Sequence, residues 1–263
     1  MAKLSNDEIT KLVLIESKKL QKIINEHFLP KFAQLHNIDP EHNFFDAKQE
    51  IIARKAYFPG VKKKYCLQLS NMEGIPVDEQ EVRGLITRRS DYPSITKKRI
   101  KQLLDLLVKE DVVSFSAIRE LIKENREELL ILIRNGDKQA SRPVSFTKPL
   151  DEYKVRPMHI KGMLLWNSLE YEYFVPGTRG YLFRIKAVDP YNSPDAVKKK
   201  LTGLEVGNAI CLPGEEISLP DYYKLDVDAM ISFAWDDRIN ELITPIQSRI
   251  NPARIREEAA LLW

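Results

Sequence analysis

Apolar positions recur with a helical period from residue 7 to residue 37, where Ile9, Leu12, Val13, Leu20, Ile23 and Ile24 mark one stripe. Asn6 is placed to cap this helix, Asp7 and Glu8 suit its first turn, and Pro30 is expected to kink or break it. Residues 43–52, 63–70 and 81–88 read as strands. Pro93 opens a helix carrying Ile95, Ile100, Leu103, Leu104 and Leu107. Ser114 starts another, which Gly136 closes. SRPVSFTKPLDEYKVRP, residues 141–157, is a proline-punctuated linker, and MHIKGMLLWNSL, residues 158–169, reads as a short apolar helix. Two short strands follow near 181–188 and 206–211, then a long terminal helix from about Pro220. The order predicts an α+β chain without internal repeats or low-complexity tracts.

The 263 residues suffice for one large domain or two modest ones. With 43% hydrophobic and 30% charged residues, the composition is that of a globular protein. Cys66 and Cys211 form no disulfide or metal framework, which fits a reducing compartment. His27, His36, His42 and His159 lack zinc-ligand spacing to either cysteine. MAKLSNDEIT has no signal-peptide apolar run, and no stretch approaches membrane-spanning length. The expectation is a cytoplasmic protein.

Net charge is only +3, but it is unevenly spread. Lys48 to Lys101 holds 13 Lys/Arg against 6 Asp/Glu, a balance of +7, which leaves the remainder at −4. A basic middle suggests contact with a polyanion, although a solvated basic surface explains the charge equally simply. The run KKKY, residues 62–65, sharpens the choice. Read on a strand, Lys63 and Tyr65 lie two apart and share a face. Lysine can donate to the acceptors every base pair shows in the minor groove, and tyrosine can bond phosphate or sugar. Such a strand would sense duplex without reading sequence.

Several segments, in order, resemble the C-terminal part of a family B DNA polymerase of the type found in large tailed phages. KKKY is similar to that family's KKRY-type element, with Lys64 in place of Arg, and MEG at 72–74 to the turn after it. RGLITRRSDYPSI at 83–95 resembles the junction of palm and thumb. PMHIKGMLLWN at 157–167 resembles the thumb segment P-x-H-I-R-G-x-L-x-Y-N, and CLPGEEI at 211–217 the stretch before the last thumb helix. FFDAKQEII resembles the palm strand that ends in an acidic residue, here Glu50. No single motif is specific; their order is. The resemblance implies a palm remnant over 1–90 and a thumb over 91–263 with a tail from 251.

That family joins a primer 3′-hydroxyl to a nucleotide using two metal ions held by aspartates. Those aspartates sit in D-x-x-S-L-Y-P-S and Y-x-D-T-D-S elements, and this chain has neither. DYPSI at 91–95 echoes the first, but the aspartate's place, five positions before the tyrosine, is Thr87. DVD at 226–228 echoes the second, but its surroundings suit an amphipathic helix whose start the acids complement. The resemblance therefore implies a split polymerase. Exonuclease, fingers, catalytic aspartates and most of the Mg2+ coordination would belong to a separate upstream chain, and this chain would hold primer–template duplex. The alternative is a non-catalytic, thumb-derived DNA-binding accessory protein acting alone; a purely structural assembly protein leaves KKKY unexplained.

The resemblance makes Glu50 a supporting carboxylate near the metals, against a plain solvent-facing glutamate. Lys63 and Tyr65 would contact the duplex, and Lys62 and Lys64 would attract phosphate or be surface lysines. Arg88 and Arg89 would touch backbone or pair with Glu79 or Glu81. His159 and Lys161 would touch phosphate, unless His159 is a packed histidine. Trp166 and Trp235 read as core. Asn240 and Thr244 stand where some phage members carry lysines, which weakens duplex contact there. The apolar stretch 259–263, with Leu261, Leu262 and Trp263, resembles the peptide that docks phage polymerases on a sliding clamp; folding back as core is the other reading.

Overall fold

A computed structural model describes residues 4–247, apart from 43, 89, 111, 170–173, 202–206 and 215. Ser5, not Asn6, caps the first helix, α1 (Asn6–Ile23). Its hydroxyl accepts from the Glu8 amide, and the Glu8 carboxylate accepts from the Ser5 amide at 2.7 Å. These bonds to Ser5 hold the Glu8 carboxyl below its ordinary pKa. The expected break at Pro30 does not occur. The helix passes through a π turn at Ile24–Phe28, and Pro30 sits in the first turn of α2 (Leu29–Leu35), where a missing N–H costs little.

Strands β1 (Ile51–Tyr57), β2 (Tyr65–Met72) and β3 (Ile75–Arg83) form an antiparallel meander in the order β1-β2-β3. The expected strand over 43–52 is therefore displaced: the stretch before Ile51 is irregular, and pairing begins with Ile51 opposite Met72. The third strand likewise ends at Arg83 rather than 88, because Gly84 turns the chain away at φ +64°. Cys66, Leu67, Gln68 and Leu69 in β2 are all buried, so this strand is covered on both faces.

Two helices follow, α3 (Ser94–Val108) and α4 (Phe115–Arg134), close to the expected bounds. Ser114 caps α4 through the Ala117 amide, and Arg99 ties α3 to Glu128 of α4 at 2.6 Å. The supposed linker 141–157 is partly regular. Its first residues form β4 (Arg142–Ser145), whose single proline, Pro143, is tolerated at the edge of a second antiparallel sheet. That sheet runs β4, β5 (Arg179–Val188), β6 (Ala209–Pro213), and β7 (Tyr223–Leu225) pairs with the far end of β5. Helix α5 (Met158–Leu169) lies on β6, and Gly162 permits the approach. A Cβ there would stand 3.1 Å from the Cys211 amide nitrogen and Sγ. A short helix, α6 (Asp195–Leu201), separates β5 from β6.

The terminal helix begins later than expected, after β7, as α7 (Val227–Ile231), a π turn at Ser232–Asp236, and α8 (Asp237–Ile243). Asp226 accepts from the Ala229 amide and so caps a helix start whose dipole the sequence reading has it complement. Arg126 of α4 donates twice to Asp236, at 2.8 and 3.0 Å. One buried apolar cluster runs from Tyr57, Cys66 and Val82 through α3, α4 and α5 to Trp235 and Ile243. Trp166 and Trp235 belong to it, as the sequence suggested. Both cysteines are free and buried, and burial pushes the Cys66 thiol up to about 12 and the Cys211 thiol upward too.

The buried Tyr57 hydroxyl, at the end of β1, donates to the Leu242 carbonyl in α8. Desolvation raises its pKa to about 12, so it stays a donor at every working pH. Tyr57→Phe should lower the unfolding free energy by about 1 kcal/mol while the transition stays single, as read by urea denaturation followed by both tryptophan fluorescence and circular dichroism.

Candidate nucleic-acid interface

The turn between β1 and β2 is built by ordered partners. Gly60 and Lys63 both adopt positive φ, +79° and +62°, and the Lys64 amide bonds the Val61 carbonyl at 3.2 Å. Lys63 thus lies in a left-handed turn and not on the strand, which starts at Tyr65. The same-face pairing of Lys63 and Tyr65 inferred from strand alternation is therefore wrong. Their nearness comes from the turn. Gly84 fixes it from the other side, since a Cβ there would stand 2.5 Å from the Lys63 carbonyl oxygen.

The lysine run divides by direction. Lys62 and Lys63 are exposed. Lys64 is half-buried and forms an ion pair with Glu241 of α8, beside Arg238. Tyr65 donates to Glu81 at 3.2 Å, which also accepts from Arg83 at 2.7 Å, and its ring leans on Phe58. That contact with Glu81 raises the Arg83 pKa further.

Glu50 is exposed, and its carbonyl accepts from the Glu73 amide at 2.6 Å. It lines a groove of about 580 Å³ with Tyr65, Glu73, Glu79, Glu81 and Arg83. Four carboxylates against one guanidinium make this face acidic, so Glu50 and Tyr65 meet while the exposed lysines stand apart from the groove. Among the described residues no group of three or more His, Cys, Asp or Glu side chains could hold a metal ion. These carboxylates therefore do not by themselves fit a magnesium site.

His159 lies on α5 far along the chain. Ile160 and Gly162 face inward, which leaves His159 half-buried and Lys161 exposed on the outer side. His159 lines a hollow of about 400 Å³ with Asp91, Arg142 and Arg179. Burial, and then the positive charge of Arg142, holds its pKa below the ordinary value, so the imidazole is neutral at pH 7. The Arg88 side chain, Arg89, Leu261, Leu262 and Trp263 lie outside the described residues. Arg142, Arg179, Lys97 and Lys138, which the sequence did not single out, frame this hollow and its neighbour.

No family model and no curated protein matches the chain. Among solved structures it is similar to the family B DNA polymerase from the hyperthermophilic archaeon Pyrobaculum calidifontis, at 17% sequence identity and a TM-score of 0.49. The similarity covers 86% of this chain and 24% of that one, so the chain spans about a quarter of the polymerase's length.

Two outcomes follow from this geometry. Lys63→Gly relieves a left-handed residue that costs roughly 1 kcal/mol, so the urea midpoint should hold or rise, whereas Lys64→Ala should cost about 1 kcal/mol by leaving Glu241 with Arg238 at 3.6 Å as its remaining partner. A lowered midpoint for Lys63→Gly would refute the turn. For His159 the unfolded chain takes up a proton near pH 6.5 that the folded chain resists, so stability falls as pH drops below that value. His159→Gln should flatten the pH dependence of the urea midpoint just below pH 6.5.

Proposed function

We propose that this chain is the C-terminal part of a replicative family B DNA polymerase, holding primer–template duplex behind an active site whose catalytic aspartates lie on a separate upstream chain. The turn at 60–64 carries the reading. It is held from both sides, by Gly84 and by the pair Lys64–Glu241, yet it presents Lys62 and Lys63 to solvent. A loop that merely solubilised the surface would have no need of such fixing. A held turn backbone reduces the freedom lost on binding, so its lysines suit a backbone or minor-groove contact. In this reading Lys63 donates to minor-groove acceptors near the primer end, Lys62 faces phosphate, and Tyr65 is oriented by Glu81.

The upstream chain is supported by where apolar surface lies. Among the described residues, 17 of the 22 large apolar side chains left exposed fall between residues 4 and 75. Helix α1 buries none of its residues. Its Thr10 meets Ser70 of β2 at 3.1 Å, while Ile9, Leu12, Val13, Leu20 and Ile23 stay exposed. A stripe of this kind marks a surface that another polypeptide covers. A polymerase palm divided between two chains would leave such a surface here.

The test is reconstitution. The purified chain should incorporate no nucleotide, and addition of the upstream chain should restore magnesium-dependent extension. In the complex, Lys63→Ala should slow extension roughly 10- to 100-fold, the worth of a charge-assisted hydrogen bond, with little change in nucleotide affinity. Leu12→Glu with Leu20→Glu should abolish co-purification without lowering the stability of the chain alone. Extension by the chain alone, or a Lys63→Ala effect no larger than that of a distant exposed lysine such as Lys199, would overturn the reading.

A further inference from the structure

Two hollows flank β4 and share Pro143 and Arg179 as walls. The first, about 610 Å³, is lined by Lys97 of α3, by Lys138 and Gln139 after α4, and by Ser94, Ser141, Arg179, Tyr181, Ile217 and Leu219 among others. The second, about 400 Å³, adds Arg142 and His159. They join at Pro143 and Arg179 around the edge strand β4, with Arg142 on the other face of that strand, and are treated as one furrow. Four cationic side chains, Lys97, Lys138, Arg142 and Arg179, line it together with His159, and the acids are Asp91 and Asp137. Each acid is already engaged: Asp91 pairs with Arg142 at 3.6 Å, and Asp137 accepts from the Gln139 amide at 2.8 Å. Lys138 stands over the Tyr181 ring at 5.6 Å. The Lys97 and Arg179 side chains make no ion pair among the described residues, and Arg179 is fully on the surface of the furrow.

This arrangement differs from the β1–β2 turn in shape and in chemistry. The turn is convex and offers two lysines. The furrow is concave, with volumes in the range of clefts that enclose small ligands, and its cations come from α3, the turn after α4, β4 and β5. Cations along a concave surface with amide and hydroxyl groups between them supply the donors that a phosphodiester strand needs. A duplex flank would bridge over such hollows; a single strand can descend into them. The apolar wall of Tyr181, Ile217 and Leu219 gives unpaired bases or sugars a surface that a paired duplex does not expose.

We infer that this furrow binds a single strand of nucleic acid by its phosphates, at a site separate from the duplex-facing turn. Arg179 and Lys97 hold phosphates in the first hollow, and Arg142 continues the track in the second. The inference uses the general nucleic-acid reading above but does not need the upstream chain.

The test is binding of a fluorescent single-stranded ten-nucleotide oligomer and of a blunt duplex to the full chain, each over a salt series. Arg179→Glu, an exposed change, should weaken single-strand binding at least tenfold and flatten its salt slope by about 0.7–1.4 units, the equivalent of one or two phosphates. Lys97→Gln should act in the same direction, and duplex binding should stay unchanged in both. Lys62→Ala should show the converse. Unchanged single-strand affinity in Arg179→Glu overturns the inference, as does an equal loss for both ligands, which would make the furrow a general basic surface. A chain that binds single strand through Arg179 but fails to bind duplex at all supports the furrow and overturns the duplex reading.

Discussion

The join between the first sheet and the last helix is the constraint on which the rest depends. Tyr57 reaches from the end of β1 to the Leu242 carbonyl, and Lys64 reaches from the start of β2 to Glu241 one residue earlier. Residues 185 and 177 positions apart are thereby fastened at adjacent points of α8. The turn between them has no freedom left to move as a loop. Its remaining lysines, Lys62 and Lys63, are consequently presented at a fixed place rather than spread through solvent, and the left-handed backbone of Lys63 is held in spite of its cost.

Charge is sorted by face. The side of the first sheet that carries Tyr65 also carries Glu79 and Glu81, with Glu50 and Glu73 at its margin, and it repels phosphate. The lysine turn and the β4 furrow attract it. A polyanion approaching this molecule is therefore steered to two places and away from a third. Glu50 lines the acidic groove, and among the described residues no cluster of side chains there could hold a metal ion.

Much of the helical scaffold was legible because its signals are local. Pro93 and Ser114 mark the starts of α3 and α4, and the apolar period of 158–169 marks α5. The errors share a cause as well. Strand ends at 43–52 and 81–88 were misplaced because pairing partners, not propensity, decide where a ladder starts and stops. Lys63 was read as strand because nothing in KKKY reveals a positive φ; the glycine that fixes it, Gly84, lies twenty-one residues on. Arg142 was hidden in a proline-rich stretch, and only the pairing of β4 with β5 brings it to the same hollow as Arg179. Lys64 looked like its neighbours, since its carboxylate partner is far away in sequence.

The most direct measurement is hydrogen–deuterium exchange of the full chain with and without primer–template duplex. If the fixed turn grips duplex, amides of residues 60–65 and of Gly84–Leu85, which lies against them, should gain protection, and those facing the acidic groove at Glu79 and Glu81 should not. Protection confined to other surfaces, with the turn unchanged at saturating duplex, would contradict the account.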